Sequence, residues 1–186
     1  MDKWIYGLIT KLRRIRSERL LGVARFFIRG GITANMMTCF SFLLGLGAVY
    51  SLFQQHLWFV ILGILHLVVD GLDGVIARAT TPTQFGKYLD HISDQLIGIF
   101  LLLKVALITG DTMVYLVLVL VFLSQLLYTL SHLQAPTLFP RTFLLLPLMA
   151  NLLTLGVLIA GVIGLYSLAL QLKWILERRF AGRVPK

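Results

Sequence analysis

The apolar positions along the chain form long blocks separated by short polar breaks. The first block, residues 3–29, has a helical period. At about 100° per residue, Trp4, Ile5, Leu8, Ile9, Leu12, Ile15, Leu20, Val23, Phe26 and Phe27 share one arc. Lys3, Lys11, Arg13, Arg14, Arg25 and Arg29 lie mainly opposite, and Arg16 and Arg19 break the pattern. This predicts an amphipathic helix at a membrane–water interface, with apolar side chains in lipid and basic ones on phosphates. No small-residue cleavage site follows a short apolar core, so the segment does not read as a signal peptide.

Gly30-Gly31 ends that helix, and Thr33 offers an N-cap to a run from Met36 to about Leu52. After a polar turn at Gln54-Gln55-His56, a second run extends from Leu57 to about Ala77. Residues 78–87, with Pro82, read as a loop, and a third run goes from about Tyr88 to Ile108. Thr109-Gly110-Asp111 turns the chain into a fourth run, Met113 to His132. A second loop, Gln134 to Arg141, contains Pro136 and Pro140. Thr142 to Glu177 is longer than the roughly 20 residues that cross a bilayer. It is therefore expected to form two tight helices turning near Gly156 to Gly164.

Composition narrows the class. Of 186 residues, 58% are apolar and 13% are charged, and the mean hydropathy is +0.88. Soluble domains average about 25% charged residues. A soluble globular domain, a disordered chain and a collagen-like chain are excluded. The expectation is an all-α integral membrane protein. A juxtamembrane helix (1–30) precedes one six-helix membrane domain (31–186). Cys39 is the single cysteine, which excludes a disulfide framework and a multi-thiolate metal site.

The net charge of +9 would suggest nucleic acid in a soluble chain. In a membrane chain it reads instead as cytoplasmic loops and anionic lipid head groups, so membrane lipids and not nucleic acid are the expected partners. With the basic N-terminus inside, six spans put Arg78, Lys87 and Arg141 on inside loops and return Arg178, Arg179, Arg183 and Lys186 to the same side. Five spans would strand that tail outside. Lys104 is the exception; ten residues beyond Asp94, or about 15 Å of helix, it is expected to snorkel to the far face.

The acids are clustered. Asp70, Asp73, Asp90 and Asp94 are four of the eight carboxylates in the chain, set between strongly apolar runs. A charge near the bilayer centre costs roughly 3 kcal/mol on insertion scales, so such residues mark function. Asp70 and Asp73 are spaced i, i+3 with Gly74 and Ala77 on nearly the same face. Asp90 and Asp94 are spaced i, i+4 on the next helix, with Gly86 one turn earlier. Arg78 is the one basic residue expected nearby, so cations or protons must balance the rest. An oxygen-only donor set favours Mg²⁺ or Mn²⁺, and four aspartates suit two ions that share ligands, as in phosphoryl chemistry. Helix-end aspartates facing water, and a proton or divalent-cation path of a transporter, are the competing readings. Gly74, Ala77, Arg78 and Gly86 fit a bulky anionic ligand better than a bare ion.

The run Asp70-x-x-Asp73-Gly74-x-x-Ala77-Arg78, then seven residues, Gly86, three residues, Asp90, three residues and Asp94 resembles the signature of the CDP-alcohol phosphotransferase family. The resemblance implies a cytoplasm-facing cavity in which Asp70, Asp73 and Asp90 hold two metal ions. Asp94 would contact metal or act as general base. Gly74 and Ala77 would leave room for the CDP moiety, Arg78 would pair with phosphate, and Gly86 would permit close approach. It further implies a CDP-linked lipid substrate, a polar alcohol acceptor, release of CMP, and a homodimer in the cytoplasmic (inner) membrane. Within the family, one branch moves a phosphatidyl group from CDP-diacylglycerol to the alcohol. Another moves a phospho-head-group from a CDP-alcohol to diacylglycerol on the same core. Inactive relatives would keep the helices without turnover.

Residues 32–38 resemble the family's Pro-Asn-x-x-Thr, with Ala34 in place of Pro. Asn35 and Thr38 are either nucleotide contacts or helix-capping and helix-pairing groups. Ser41 stands where some glycerophosphate-using members carry Arg. His66 reads as a buried hydrogen-bonding histidine, and His91 as pointing sideways. Arg141 is a candidate for binding a phosphorylated acceptor, or a plain inside anchor. Gly45, Gly47, Gly161 and Gly164 read as helix-packing glycines.

Overall fold

The computed structural model describes residues 19–138 and 140–181. The amphipathic pattern before residue 19 and the basic tail after residue 181 lie outside the described residues. The described residues form seven helices and no strand. Residues 19–29 are α1, followed by α2 (Ala34–Ser51), α3 (His56–Ala79), α4 (Gln84–Thr109), α5 (Thr112–Leu130), α6 (Pro140–Met149) and α7 (Leu153–Ala181). Five of them, α2 to α5 and α7, are long and apolar enough to cross a membrane.

Local chemistry sets most of the boundaries. Gly31, at φ 76°, ends α1: its N–H bonds the Ile28 carbonyl and that of Ile32 bonds Phe27, both at 3.0 Å. Thr33 Oγ1 accepts from Met36 N at 3.3 Å, the expected cap of α2. Gly110, at φ 64°, precedes Asp111, whose Oδ1 accepts from Met113 N at 2.8 Å and starts α5.

One expectation about the turns needs correction. The turn after α6 falls at Ala150-Asn151-Leu152, not near Gly156 to Gly164. Asn151 takes φ 58°, a left-handed value that asparagine tolerates, and the Asn151 and Leu152 amides close on Leu148 and Pro147. Gly156, Gly161 and Gly164 lie inside α7. A Cβ at Gly161 would come 3.1 Å from Val117 and one at Gly164 3.1 Å from Val121. These two are packing glycines, as read, and they admit α5. As a result α6 has only ten residues, about 15 Å of helix against roughly 30 Å of hydrocarbon.

Lys104 is anchored at the C-terminal end of α2. Its Nζ donates to the carbonyls of Val49 at 2.9 Å and Tyr50 at 2.6 Å, in the last turn of α2. A cation there satisfies carbonyls left without helical partners and complements the negative end of the helix dipole.

The chain divides into two compact units. One comprises residues up to Gly45 together with Ile64–Ser93; the other comprises Leu46–Gly63 and residues from Asp94 onward. The first has a core of Ala24, Met37, Val69, Leu72, Val75 and Ile76, on which Leu20, Phe27 and Ile28 of α1 pack. Val23 and Phe26 of α1 are exposed. The second is centred on Ile97, Leu101, Leu102, Leu144 and Leu145. It carries polar links between helices: a half-buried one from Gln95 Nε2 to Gln125 Oε1 at 2.9 Å, and a buried one from Gln171 Nε2 to the Ser124 carbonyl at 3.1 Å. In an apolar interior such pairs hold helices together because the amides have few other partners.

Candidate active site

The first unit contains a cavity of about 780 Å³. Its walls come from four places that the turns bring together: the α1–α2 junction with the start of α2, the last two turns of α3, the α3–α4 loop, and the start of α4. Asn35, Thr38, Gly74, Ala77, Arg78 and Gly86, the six residues expected around the CDP moiety, all line it, together with Asp73 and Asp90. The helical spacing of Asp73, Gly74 and Ala77 puts carboxylate, gap and gap along one wall.

Thr38 Oγ1 lies 2.8 Å from Asp73 Oδ2 and 3.1 Å from the Ala34 carbonyl, so one hydroxyl proton serves two acceptors. Thr38 therefore pairs α2 with α3 at a residue of the cavity wall. Gly86 is explained by its neighbour. A Cβ there would come within 2.6 Å of Asn35 Oδ1 and 3.0 Å of Thr83 Oγ1. The close approach is that of Asn35 to the first turn of α4, where Thr83 Oγ1 accepts from Gly86 N at 3.0 Å.

Asp70 and Asp90 offer carboxylate oxygens within 4.8 Å of each other. Asp73 stands outside that group, with its carboxylate on Thr38. All three are oxygen donors, a set that fits hard divalent cations. Asp94 follows Asp90 by one turn of the continuous helix α4. It belongs to the second unit, where Arg141 Nη1 donates to its Oδ1. The expectation that Arg78 alone balances the acids is thus corrected: Arg141, only 6% exposed, is an ion-pair partner of Asp94. Gly98 shares the Asp94 face of α4, and a Cβ there would stand 3.6 Å from Arg141 Cβ. That glycine, one turn after Asp94, was a signal in the sequence for an incoming chain.

His66 is buried, as expected. Its Nδ1 lies 2.9 Å from the Ser41 carbonyl, while Ser41 Oγ donates to the His66 carbonyl at 3.1 Å. His91 is buried. Sequence reasoning missed Lys87 and the loop residues Thr80 to Thr83, which also line the cavity. Their position between the two halves of the aspartate pattern was the available clue.

The sequence profile of the CDP-alcohol phosphatidyltransferase family matches residues 31–177. The chain belongs to this family. The match covers all the cavity residues but Ile28, the four aspartates and helices α2 to α6, and runs through most of α7. With five helices suited to crossing a bilayer, this member of the CDP-alcohol phosphatidyltransferases is an integral membrane protein.

Two curated relatives are similar over part of their length. An archaetidylinositol phosphate synthase of Pyrococcus horikoshii is 33% identical over 104 residues, 54% of each chain. An uncharacterized protein of Aquifex aeolicus is 30% identical over 90 residues, 47% of this chain and 46% of its own. The chain thus spans about half the length of the curated relatives it matches.

Proposed function

We propose that this protein transfers the phosphatidyl group of CDP-diacylglycerol to a polar alcohol of the glycerol 3-phosphate or inositol phosphate type and releases CMP. The observation that carries this reading is the cavity wall, where Asp73 and Asp90 meet Gly74, Ala77, Arg78 and Gly86 of the family signature, together with Asn35 and Thr38. The inositol phosphate in the name of the Pyrococcus relative supports that acceptor type.

In this reading Gly74 and Ala77 leave space for the nucleotide, Arg78 pairs with its phosphate oxygens, and Asn35 and Thr38 bound it on the α2 side. Thr38 also orients the Asp73 carboxylate. Asp70, Asp73, Asp90 and Asp94 would hold two Mg²⁺ or Mn²⁺ ions. Bound there, the ions supply neutralisation of the charge on the diphosphate and on departing CMP. The acceptor hydroxyl attacks the phosphorus that bears the lipid, and the bond from that phosphorus to the CMP oxygen breaks. Asp94 takes the hydroxyl proton. Arg141 orients the Asp94 carboxylate and would receive a phosphate carried by the acceptor.

The reading also includes six membrane crossings, with α6 in the short fifth crossing. This puts Arg78, Lys87 and Arg178 on one side, in keeping with the positive-inside rule. The site faces the cytoplasm at the cell's inner membrane, and the protein is a homodimer.

The test is a product assay on the purified chain. Labelled CDP-diacylglycerol is offered in parallel with glycerol phosphate, inositol phosphate, inositol, serine and choline. Mg²⁺- or Mn²⁺-dependent CMP release with one phosphorylated acceptor is expected. Release only when a CDP-alcohol and diacylglycerol are supplied would shift the reading to head-group transfer. Ion flux without any nucleotide requirement would replace it with transport.

A further inference from the structure

We propose that residues 131–138 are a strap that delivers Arg141 to Asp94, and that Ser167 on α7 anchors it as a positioning residue of the transfer. This rests on the reading that Asp94 and Arg141 serve the reaction.

The strap leaves α5 through two consecutive non-glycine residues in the left-handed region, His132 at φ 54° and Leu133 at φ 60°. Such a pair persists only where the surroundings over-determine it, and strain of this kind gathers at functional sites. The surroundings are specific. Leu133 and Ala135 are buried while His132 and Gln134 are exposed, so the strap seats alternate side chains on the protein. Irregular backbone in a membrane protein must find its hydrogen bonds inside the protein. Backbone carbonyls of Thr129, Tyr128 and Ser131 take the amides of His132, Leu133 and Gln134, and two serines take those of Ala135 and Leu138. Ser131 Oγ accepts from Ala135 N at 3.0 Å while donating to the Tyr128 carbonyl at 2.7 Å.

At the other end, Ser167 Oγ accepts from Leu138 N at 3.0 Å. Ser167 is fully buried and Leu138 is half-buried. Three residues later Arg141 pairs with Asp94, with its own backbone seated against Gly98. A guanidinium fixed at its Cα by a neighbouring glycine tolerates little drift. Release of Leu138 shifts the residue that both orients Asp94 and meets the acceptor.

The full chain in detergent is the material, with CMP release followed against acceptor and, separately, against CDP-diacylglycerol. Ser167→Ala is expected to lower kcat/KM for the acceptor roughly tenfold. The KM for the CDP-lipid should stay within about twofold, because the cavity residues are untouched. Ser167→Thr keeps the hydroxyl and should recover most of the loss. Arg141→Gln should lose more, and adding Ser167→Ala to it should change nothing further.

Additive losses in the double variant, equal changes for both substrates, or unchanged kinetics in Ser167→Ala would overturn the proposal. These outcomes leave the transfer reading intact so long as Arg141→Gln is impaired. Wild-type kinetics in Arg141→Gln would instead remove the role of Arg141, and the strap with it. Should Ser167→Ala not accumulate, Ser131→Ala tests the other end of the strap, with the same kinetic signature expected.

Discussion

The hydroxyl of Thr38 on α2 donates to the Asp73 carboxylate on α3 at 2.8 Å, with Asp73 only 4% exposed. One helix thus holds a carboxylate of another at the wall of the cavity. Removing the donor leaves a buried acceptor without it, which costs about 1–3 kcal/mol. Thr38→Val keeps the shape and removes the hydrogen bond. Its melting temperature should fall, and CMP release should fall with it. Unchanged turnover would show that Asp73 needs no positioning from α2.

Gly86→Ala separates binding from stability. The added Cβ meets the tip of the Asn35 side chain at 2.6 Å, and that tip can rotate away. Stability should therefore change by less than about 1 kcal/mol, below the usual range for overpacking a core. Asn35 would then swing from its place on the cavity wall, and CMP affinity measured by calorimetry should drop. A large loss of stability with unchanged affinity would contradict this account of Gly86.

Lys104→Met tests the capping of α2. The variant loses two donors to the Val49 and Tyr50 carbonyls, worth about 1 kcal/mol at a helix C-terminus. Thermal unfolding in detergent should show that decrease, with kcat unaltered. An unchanged melting temperature would return Lys104 to a simple snorkelling role.

The α6–α7 turn can be checked in the same way. Asn151, at φ 58°, should accept glycine without loss, while Asn151→Ala should destabilise by about 1–2 kcal/mol. Equal stability of the two variants would argue against a left-handed residue there.

These cases mark what the sequence could and could not reveal. Thr33, Gly31 and Gly110-Asp111 were legible because caps and glycine turns are local and rest on residue type. The aspartate face of α3 was legible because helical spacing alone brings Asp73, Gly74 and Ala77 together. Asn151 was passed over because the glycines of α7 looked like stronger breakers, although their lack of a side chain serves packing against α5. The left-handed backbone at Phe53, His132 and Leu133 leaves no mark in residue type. The Arg141–Asp94 pair joins positions 47 residues apart, and no periodic pattern encodes such a pair.

Chelation bears on the aspartates as a set. Dialysis against EDTA should abolish CMP release, and Mg²⁺ or Mn²⁺ should restore it, as expected of oxygen-only donors. Asp90→Asn should remain inactive at any concentration of either ion while keeping its helical circular dichroism. Full activity in EDTA would remove the divalent ions from the account.

The most direct test follows the phosphorus itself. CDP-diacylglycerol labelled at the phosphorus bearing the lipid is incubated with the purified protein, Mg²⁺ and inositol phosphate or glycerol 3-phosphate. The label is expected to pass entirely into the phospholipid product, with one unlabelled CMP released per transfer and no reaction in Asp94→Asn. Label recovered on the cytidine nucleotide, or phospholipid formed equally well by Asp94→Asn, would contradict the account.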